Sequence, residues 1–196
     1  MTMKMDKNDV ARLYENRMIS AVGVLNAIRS KWITTEDAVE ILGSDNALSV
    51  IRSAKLQEIS GACNNTIVTG IDVVIGDRTD HFNLALEDQS NINNLFRVVE
   101  LGGTEYPYQA DDGTCTVYSK QEIVQIYIAA QTHITVNTAY HNALKAYLLS
   151  LEDTDAIGAI EYGMELPAPY AEELATKLSV AENQMQMIVT KLSEVG

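Results

Sequence analysis

The apolar residues of the first part of the chain recur at alternating spacings of three and four. They are Ala11, Tyr14, Met18, Ala21, Leu25, Ile28 and Trp32. This spacing places side chains on one side of a helix and predicts a single helix through the stretch. A short second helix is predicted before Gly43, because Thr34 suits an N-cap and Gly43 suits the residue after the last turn.

The period changes to two in the middle of the chain. Alternating apolar residues run from Ile67 to Ile75 and from Phe82 to Leu86, which predicts a β-hairpin with one apolar face. A helix is predicted over residues 90–101, with Asp88 as its N-cap. An extended stretch follows over residues 106–118, with a turn before its second half.

The longest helical pattern begins after Ser119. Ser119 and Glu122 have the spacing of a capping box, and a helix is predicted over residues 120–151. A bend is predicted at residues 134–136, where β-branched side chains lose rotamer freedom in a helix. Asn137 and His141 interrupt the apolar row at its centre, which predicts a polar layer between packed helices that sets register or partner choice.

The last segment has a strict heptad row. Its members are Leu174, Leu178, Ala181, Met185, Ile188, Leu192 and Val195. This row predicts a parallel homo-oligomeric coiled coil. Leucine at a with β-branched residues at d disfavours a dimer and permits three or four strands, of which we expect three. Residues 167–169 (Pro-Ala-Pro) predict a stiff linker before it. The alternative is an amphipathic helix folded back on its own domain, because isolated helices of this length are marginal in water.

Together these elements predict a mostly helical α+β fold in three parts. The parts are an N-terminal helical docking segment (1–60), an α+β middle domain of hairpin and long helix (61–165), and a C-terminal coiled-coil helix (166–196). The first boundary rests on a turn signal at Ser60-Gly61 and on charge. Residues 1–60 hold 8 basic and 8 acidic side chains, whereas residues 61–196 hold 6 basic and 19 acidic ones.

The composition argues against two classes of partner. The formal net charge of -13 opposes binding to nucleic acid or to an anionic membrane surface. The sequence has no apolar run long enough to cross a bilayer, and its N-terminus lacks the apolar core of a signal peptide. We therefore expect synthesis in the cytoplasm, with no nucleic acid and no membrane as partner.

Motifs that carry strong chemical signals do not occur in the sequence, including the glycine-rich phosphate loop, HExxH and GxSxG. We expect no enzyme activity, no cofactor and no metal site. His133 and His141 lie eight residues apart and are candidates for metal ligation, but no third ligand lies between them, which favours the polar layer. Cys63 and Cys115 are predicted to be buried apolar residues, since neither stands in a zinc-binding or disulfide pattern.

Two further candidate sites have simpler alternatives. Residues 111–113 (Asp-Asp-Gly) with Glu105 could attract a cation, but the spacing of an EF-hand is missing, so a solvated turn is preferred. Tyr106, Tyr108 and Tyr118 could form an aromatic platform for a carbohydrate, against the simpler interpretation of packing at an amphipathic rim.

Several short segments resemble a known family. They are residues 71–73 (IDV), 81–84 (HFNL), 87–89 (EDQ) with Asn91-Ile92, 108–111 (YQAD), 118–119 (YS), 138–142 (TAYHN) and 144–145 (LK). Residues 56–170 thereby resemble a domain of unknown function from the tail modules of Gram-positive phages and prophages. Residues 32–43 are similar to the ending of the short XkdX-like tail proteins, with Trp32 as the aromatic and Leu42 before the closing Gly43.

The resemblance implies a structural component of a bacteriophage tail, at the baseplate or at the attachment of a tail fibre. Its partners would be other tail, baseplate or receptor-binding proteins, and its location the virion. One end of the chain would dock to the tail through the apolar side of the first helix, namely Tyr14, Met18, Leu25, Ile28 and Trp32. The alternatives are a tail-fibre assembly chaperone that is absent from the mature particle and a wall-degrading enzyme, for which no paired-carboxylate or Cys/His site is found.

Overall fold

The computed structural model describes residues 5–111 and 113–194, without the side chains of residues 44–46 and 193–194. The fold is mostly helical with two small antiparallel sheets, which confirms the predicted α+β class. The elements are α1 (Lys7–Glu15), α2 (Ala21–Arg29), α3 (Thr35–Leu42), α4 (Ser44–Val68), β1 (Ile71–Ile75), β2 (Arg78–Phe82), α5 (Leu86–Glu100), β3 (Glu105–Gln109), β4 (Cys115–Ser119), α6 (Lys120–Ser150), α7 (Thr154–Gly158) and α8 (Ala168–Glu194).

The chain divides into two compact units. Unit 1 comprises Met1–Gly61 and Leu144–Pro167, and unit 2 comprises Ala62–Ala143 and Ala168–Gly196. Residues 144–167 group with the N-terminal helices because Leu151 and Ile157 belong to their apolar cluster. This grouping by contacts differs from the predicted division into 1–60, 61–165 and 166–196. Whether those three parts fold independently stays a prediction.

The prediction of a single helix through residues 11–32 is wrong. Helix α1 ends in a Schellman motif, in which the N–H of Arg17 donates to the carbonyl of Tyr14 at 2.9 Å and the N–H of Met18 to that of Leu13 at 2.8 Å. Arg17 takes the left-handed φ of 57° that this motif requires. Glycine usually occupies that position, so an arginine there gives no stop signal in the sequence.

Helix α3 follows the predicted capping chemistry. The Thr34 side chain accepts from the N–H of Asp37, and the Asp37 carboxylate accepts from the N–H of Thr34. Gly43 stands at the C-terminal cap with a positive φ of 76°. Unit 1 closes around an apolar cluster that includes fully buried Val10, Val24, Ala38 and Ile157.

The boundary predicted at Ser60-Gly61 does not interrupt the backbone. Helix α4 continues through both residues to Val68. A Cβ at position 61 would meet nothing within 4 Å, so no neighbouring group requires a glycine here. The turn predicted at Ser60-Gly61 is wrong.

The predicted β-hairpin is confirmed, with different ends. Ile71 pairs with Phe82 and Ile75 with Arg78, which leaves a two-residue turn at Gly76-Asp77. Gly76 has a φ of 61°, as the first position of a type II′ turn requires. Ile67 lies in α4 instead of the first strand. Leu86 begins α5, four residues before the predicted start, because Ala85 and not Asp88 is its N-cap.

The second extended stretch also forms a hairpin, in which Glu105 pairs with Ser119 and Gln109 with Cys115. Both hairpins and α5 pack on one side of α6. Their shared apolar cluster includes fully or almost fully buried Val73, Phe82, Leu84, Ile92, Tyr118, Ile123 and Ile126. The apolar face of the first hairpin therefore packs against the long helix.

Helix α6 begins with the predicted capping box. The N–H of Ser119 donates to Glu122 Oε2 at 2.7 Å, and the N–H of Glu122 donates to Ser119 Oγ at 3.4 Å. The first of these bonds is the main reason that the pKa of Glu122 is lowered. The helix is continuous through residues 134–136, so the predicted bend is wrong, since other contacts of α6 outweigh the modest propensity cost of β-branched residues.

Helix α8 starts inside the predicted linker, with Pro169 in its first turn, where the missing N–H of proline costs no helical hydrogen bond. Its described side chains, residues 168–192, are all exposed or half-buried. Within the described part of the chain, no helix combines the length and the hydrophobicity that crossing a membrane requires.

Candidate interaction surface

The predicted oligomerisation residues lie on one side of α8. Leu174, Leu178, Ala181, Met185, Ile188 and Leu192 are all half-buried, and most residues between them are exposed. Val195 lies outside the described residues. The heptad spacing therefore marks a side of the helix that is partly covered within the chain.

Helix α6 provides that cover. Val189 and Leu192 line a cavity together with Lys120 and Val124 at the start of α6. Leu178 lines a second cavity together with Val136, sixteen residues further along α6. The two helices therefore lie side by side in antiparallel directions, as expected for the alternative of a helix folded back on its own domain. Association between copies stays a prediction.

The contact between α6 and α8 leaves a groove open. The two cavities have volumes of about 710 and 420 Å³ and share Ile128 and Val189 as lining residues. We call them together the α6–α8 groove. Its apolar walls are Val124, Ile128 and Val136 from α6 and Met185, Val189 and Leu192 from α8.

The groove is nearly uncharged, in contrast with the chain as a whole. Among its lining residues only Lys120 and Glu182 carry a formal charge, and these two balance. The full chain has a formal net charge of -13. A second acidic body therefore meets little net charge at the groove.

A further apolar stripe lies on the side of α8 that faces away from the groove. Val180 and Met187 are 59% and 64% exposed and stand seven residues apart. Between them lies Gln184, which with Met187 lines a shallow surface depression. We call Val180, Gln184 and Met187 the outward stripe. The heptad row did not predict this stripe, although Val180 and Met187 are two apolar residues at a heptad spacing outside the a and d positions.

The predicted polar layer consists of Asn137 and His141. Of these two residues, Asn137 faces another helix of the same chain. Asn137 accepts a hydrogen bond from the Cys63 thiol through its carbonyl at 3.5 Å, and its side-chain amide donates to the His133 carbonyl at 2.9 Å. His133 in turn bonds through Nε2 to the Thr66 carbonyl at 3.0 Å. The bonds to Cys63 and to Thr66 join α6 to α4. His141 is half-buried on α6, and a role of the layer between copies stays a prediction.

The predicted docking residues are split by the break between α1 and α2. Leu25 is buried in the core of unit 1, and Tyr14, Ile28 and Trp32 pack partly against it. Met18 lies in the turn and is 72% exposed. The structure therefore gives four of the five residues a packing role and leaves Met18 exposed, and a docking role for these residues stays a prediction.

A polar network holds the two hairpins of unit 2 together. Tyr118 donates its hydroxyl to Asp80 at 2.7 Å, and Arg78 pairs with both oxygens of Asp80 while lying 5.4 Å from the Tyr118 ring centroid. Burial is the main cause that raises the pKa of Tyr118 to about 12, with the Asp80 bond second. This tyrosine is a packing and hydrogen-bonding residue and not part of a carbohydrate platform.

His81 links the first hairpin to the end of α4. Its Nδ1 lies 2.7 Å from Asp72 Oδ1 and its Nε2 lies 2.9 Å from the Thr69 carbonyl. Because both ring nitrogens face acceptors, the protonated ring satisfies both bonds, and the Asp72 bond is the main cause that raises the pKa of His81.

The described residues include no group of three or more His, Cys, Asp or Glu side chains placed to hold a metal ion. Of the two cysteines, Cys63 is buried as predicted, whereas Cys115 is exposed on β4. The prediction for Cys115 was wrong because β4 alternates its side chains and its core position is taken by Tyr118.

The comparisons with known proteins give one match. No match is found among curated proteins or among solved structures. The model of a family described as "Domain of unknown function (DUF4376)" matches residues 50–162. Because this match covers more than half of the 196 residues, the chain belongs to the DUF4376 family of domains of unknown function.

Proposed function

We propose that this protein is a structural component of a bacteriophage tail, an adaptor at the baseplate or at the attachment of a tail fibre. It acts by forming a homo-oligomer, with three copies predicted, and by docking to other tail, baseplate or receptor-binding proteins. In this proposal it is no enzyme, binds no cofactor, contacts neither nucleic acid nor membrane, and resides in the virion after synthesis in the host cytoplasm.

The observation that carries the proposal is α8. A helix of 27 residues with no buried side chain among those described gains little stability from its own chain, because helices in proteins are held mainly by burial of an apolar face. Its apolar positions nevertheless keep a heptad spacing. A helix of this kind is typical of proteins that are completed by association.

Two further observations support a place in a phage tail. The segments quoted above resemble a tail-module family, and the family match over residues 50–162 covers most of the same part of the chain. The loose similarity of residues 32–43 to XkdX-like tail proteins points to the same group of genes. Met18, exposed in the turn after α1, gives the docking segment an apolar contact residue.

Quantitative mass spectrometry of purified particles tests this function. The particles come from a phage or induced prophage that encodes this chain, and a tail protein and a cytoplasmic host protein of the same preparation serve as references. We expect this protein in a fixed ratio to the tail protein. Its absence from particles that require the gene for assembly would instead support the fibre-assembly chaperone.

A further inference from the structure

The outward side of α2 is exposed along its length. Val22, Asn26 and Arg29 follow one another at helical spacings of four and three and are all exposed, while Val24 on the opposite side is fully buried. Met18 stands four residues before Val22, and these two apolar side chains are 72% and 58% exposed. We call Met18, Val22, Asn26 and Arg29 the α2 face.

The surroundings of the α2 face are basic, whereas the chain as a whole is acidic. Residues 16–35 contain three basic residues, Arg17, Arg29 and Lys31, and no acidic residue. All three are exposed. The full chain has a formal net charge of -13, so this region has the opposite sign from the rest of the chain. Acidic groups of a partner are therefore attracted to this region, although the net charge of the chain repels them.

These three cations have no acidic partner within the described part of the chain. Arg29 donates to the neutral side chain of Gln57 at 3.1 Å, and neither Arg17 nor Lys31 forms a salt bridge there. Three other cations of unit 1 each pair with a carboxylate, namely Lys7, Arg12 and Lys55. The charges beside the α2 face are therefore available to a partner.

Two of these cations occupy backbone positions that usually hold glycine. Arg17 and Lys31 have φ of 57° and 56°, and they are the only described non-glycine residues with a positive φ. Lys31 ends α2 as Arg17 ends α1, since its N–H donates to the Ile28 carbonyl at 2.8 Å. Glycine would take this conformation without a steric cost. Departures of this kind are concentrated at functional sites, and both departures place a positive charge beside α2.

The apolar residues of the α2 face decide the class of partner. Met18 and Val22 are exposed to water, and their burial against an apolar side chain of a partner is favourable. Nucleic acid is bound chiefly through its phosphates by cations and does not account for this apolar pair. A protein surface with an apolar centre and a charged rim uses both features.

We propose that the α2 face docks another tail protein, through a surface of that protein on which Asp and Glu residues surround an apolar side chain. Met18 and Val22 contact the apolar side chain, and the three unpaired cations pair with the carboxylates. This deepens the proposed function, on which it rests. Of the predicted docking residues only Met18 belongs to this surface, because the others pack within unit 1.

Photo-crosslinking identifies what touches the α2 face. The photoreactive residue p-benzoylphenylalanine replaces Val22 in the full chain, and cells that produce the phage or induced prophage are irradiated late in assembly. The matched control carries it in place of Leu149, an exposed apolar residue of the same unit. We expect position 22, and not position 149, to crosslink to a peptide of another tail protein in which Asp or Glu flanks an apolar residue. Crosslinks only to this chain, crosslinks to a peptide without acidic residues, or no crosslink at position 22 would overturn the inference.

Glycine substitution separates docking from folding. The double variant Arg17→Gly/Lys31→Gly removes both charges and relieves two left-handed conformations, so its Tm should equal or exceed that of the wild type. We expect the crosslink from position 22 to fall severalfold in this variant. The control Lys145→Gln/Lys191→Gln removes two exposed cations elsewhere and should leave the crosslink unchanged. An unchanged crosslink in the glycine variant, or an equal fall in the control, contradicts the inference.

The proposed function fails by a different measurement. A crosslink to a tail protein in producing cells, together with absence of the chain from purified particles, upholds the docking role of the α2 face and overturns the tail component in favour of the chaperone. A chain that is present in particles and whose position 22 reaches no other tail protein upholds the tail component and overturns this inference.

Discussion

The two longest helices have similar apolar periodicity and opposite burial. Helix α6, with 31 residues, buries Ile123, Ile126 and Ala130 to 1% exposure or less. Helix α8, with 27 residues, buries none of its described side chains. The difference arises because two hairpins and α5 cover α6, whereas the described neighbour of α8, helix α6, covers it only in part. Periodicity thus shows which side of a helix will be covered, and the number of neighbours decides how fully.

Removing part of the cover of α6 should have the largest effect. Phe82 is 2% exposed in the cluster with α6, so Phe82→Ala should lower the free energy of unfolding by about 3 kcal/mol through lost burial and a residual cavity. Urea unfolding followed by circular dichroism measures this. The control Leu101→Ala removes a side chain that is 82% exposed and should change stability by less than about 0.5 kcal/mol. Equal midpoints for the two variants would contradict the packing of α6 described above.

Removing the cap of α6 should have an intermediate effect. Ser119→Ala deletes the hydroxyl that accepts from the N–H of Glu122 and should cost about 1 kcal/mol of unfolding free energy. The control Ser49→Ala lies at an exposed position inside α4, where alanine is the better helix former and a small gain is expected. A loss of the same size in both variants would mean that serine removal in general, and not the cap, causes it.

The smallest effect is a pH dependence at the hairpin that covers α6. The pKa of His81 is raised, chiefly by Asp72, so its contribution to stability is complete below the unfolded pKa of about 6.5 and is lost as pH rises through the folded pKa. In Asp72→Asn the pKa of His81, followed by NMR, should fall, and the wild type should lose its stability advantage over this variant in alkaline solution. Asp77→Asn, in the turn of the same hairpin, is the control and should leave the pKa of His81 in place.

Local chemistry made part of this fold predictable. The capping box of Ser119 and Glu122 predicted the first residue of α6 correctly. Each side chain bonds to the backbone N–H of the other residue, so the motif depends on local sequence alone. Alternation also identified the first hairpin, because Val73, Ile75 and Phe82 must share one buried face. The row from Leu174 to Leu192 coincides with the half-buried side of α8, whereas its role as a seam between copies stays a prediction.

Features set by tertiary contacts were not predictable in the same way. Arg17 adopts a left-handed conformation that no local preference favours, and the break between α1 and α2 depends on it. Ser60 and Gly61 carry a turn signal in the sequence and nevertheless lie inside helix α4. The α6–α8 groove is formed by residues more than forty positions apart in the sequence. The exposure of Val180 and Met187 likewise depends on which elements of the fold lie beside α8.

The position of Trp32 has a spectroscopic consequence. It is the only tryptophan of the chain and packs partly against the core of unit 1, whereas Tyr108, Tyr118 and Tyr127 lie in the core of unit 2. Indole fluorescence therefore reports the melting of unit 1, and near-ultraviolet tyrosine signals report mainly that of unit 2. Two probes that trace one curve indicate a single cooperative transition, and curves that separate resolve the two units without cutting the chain.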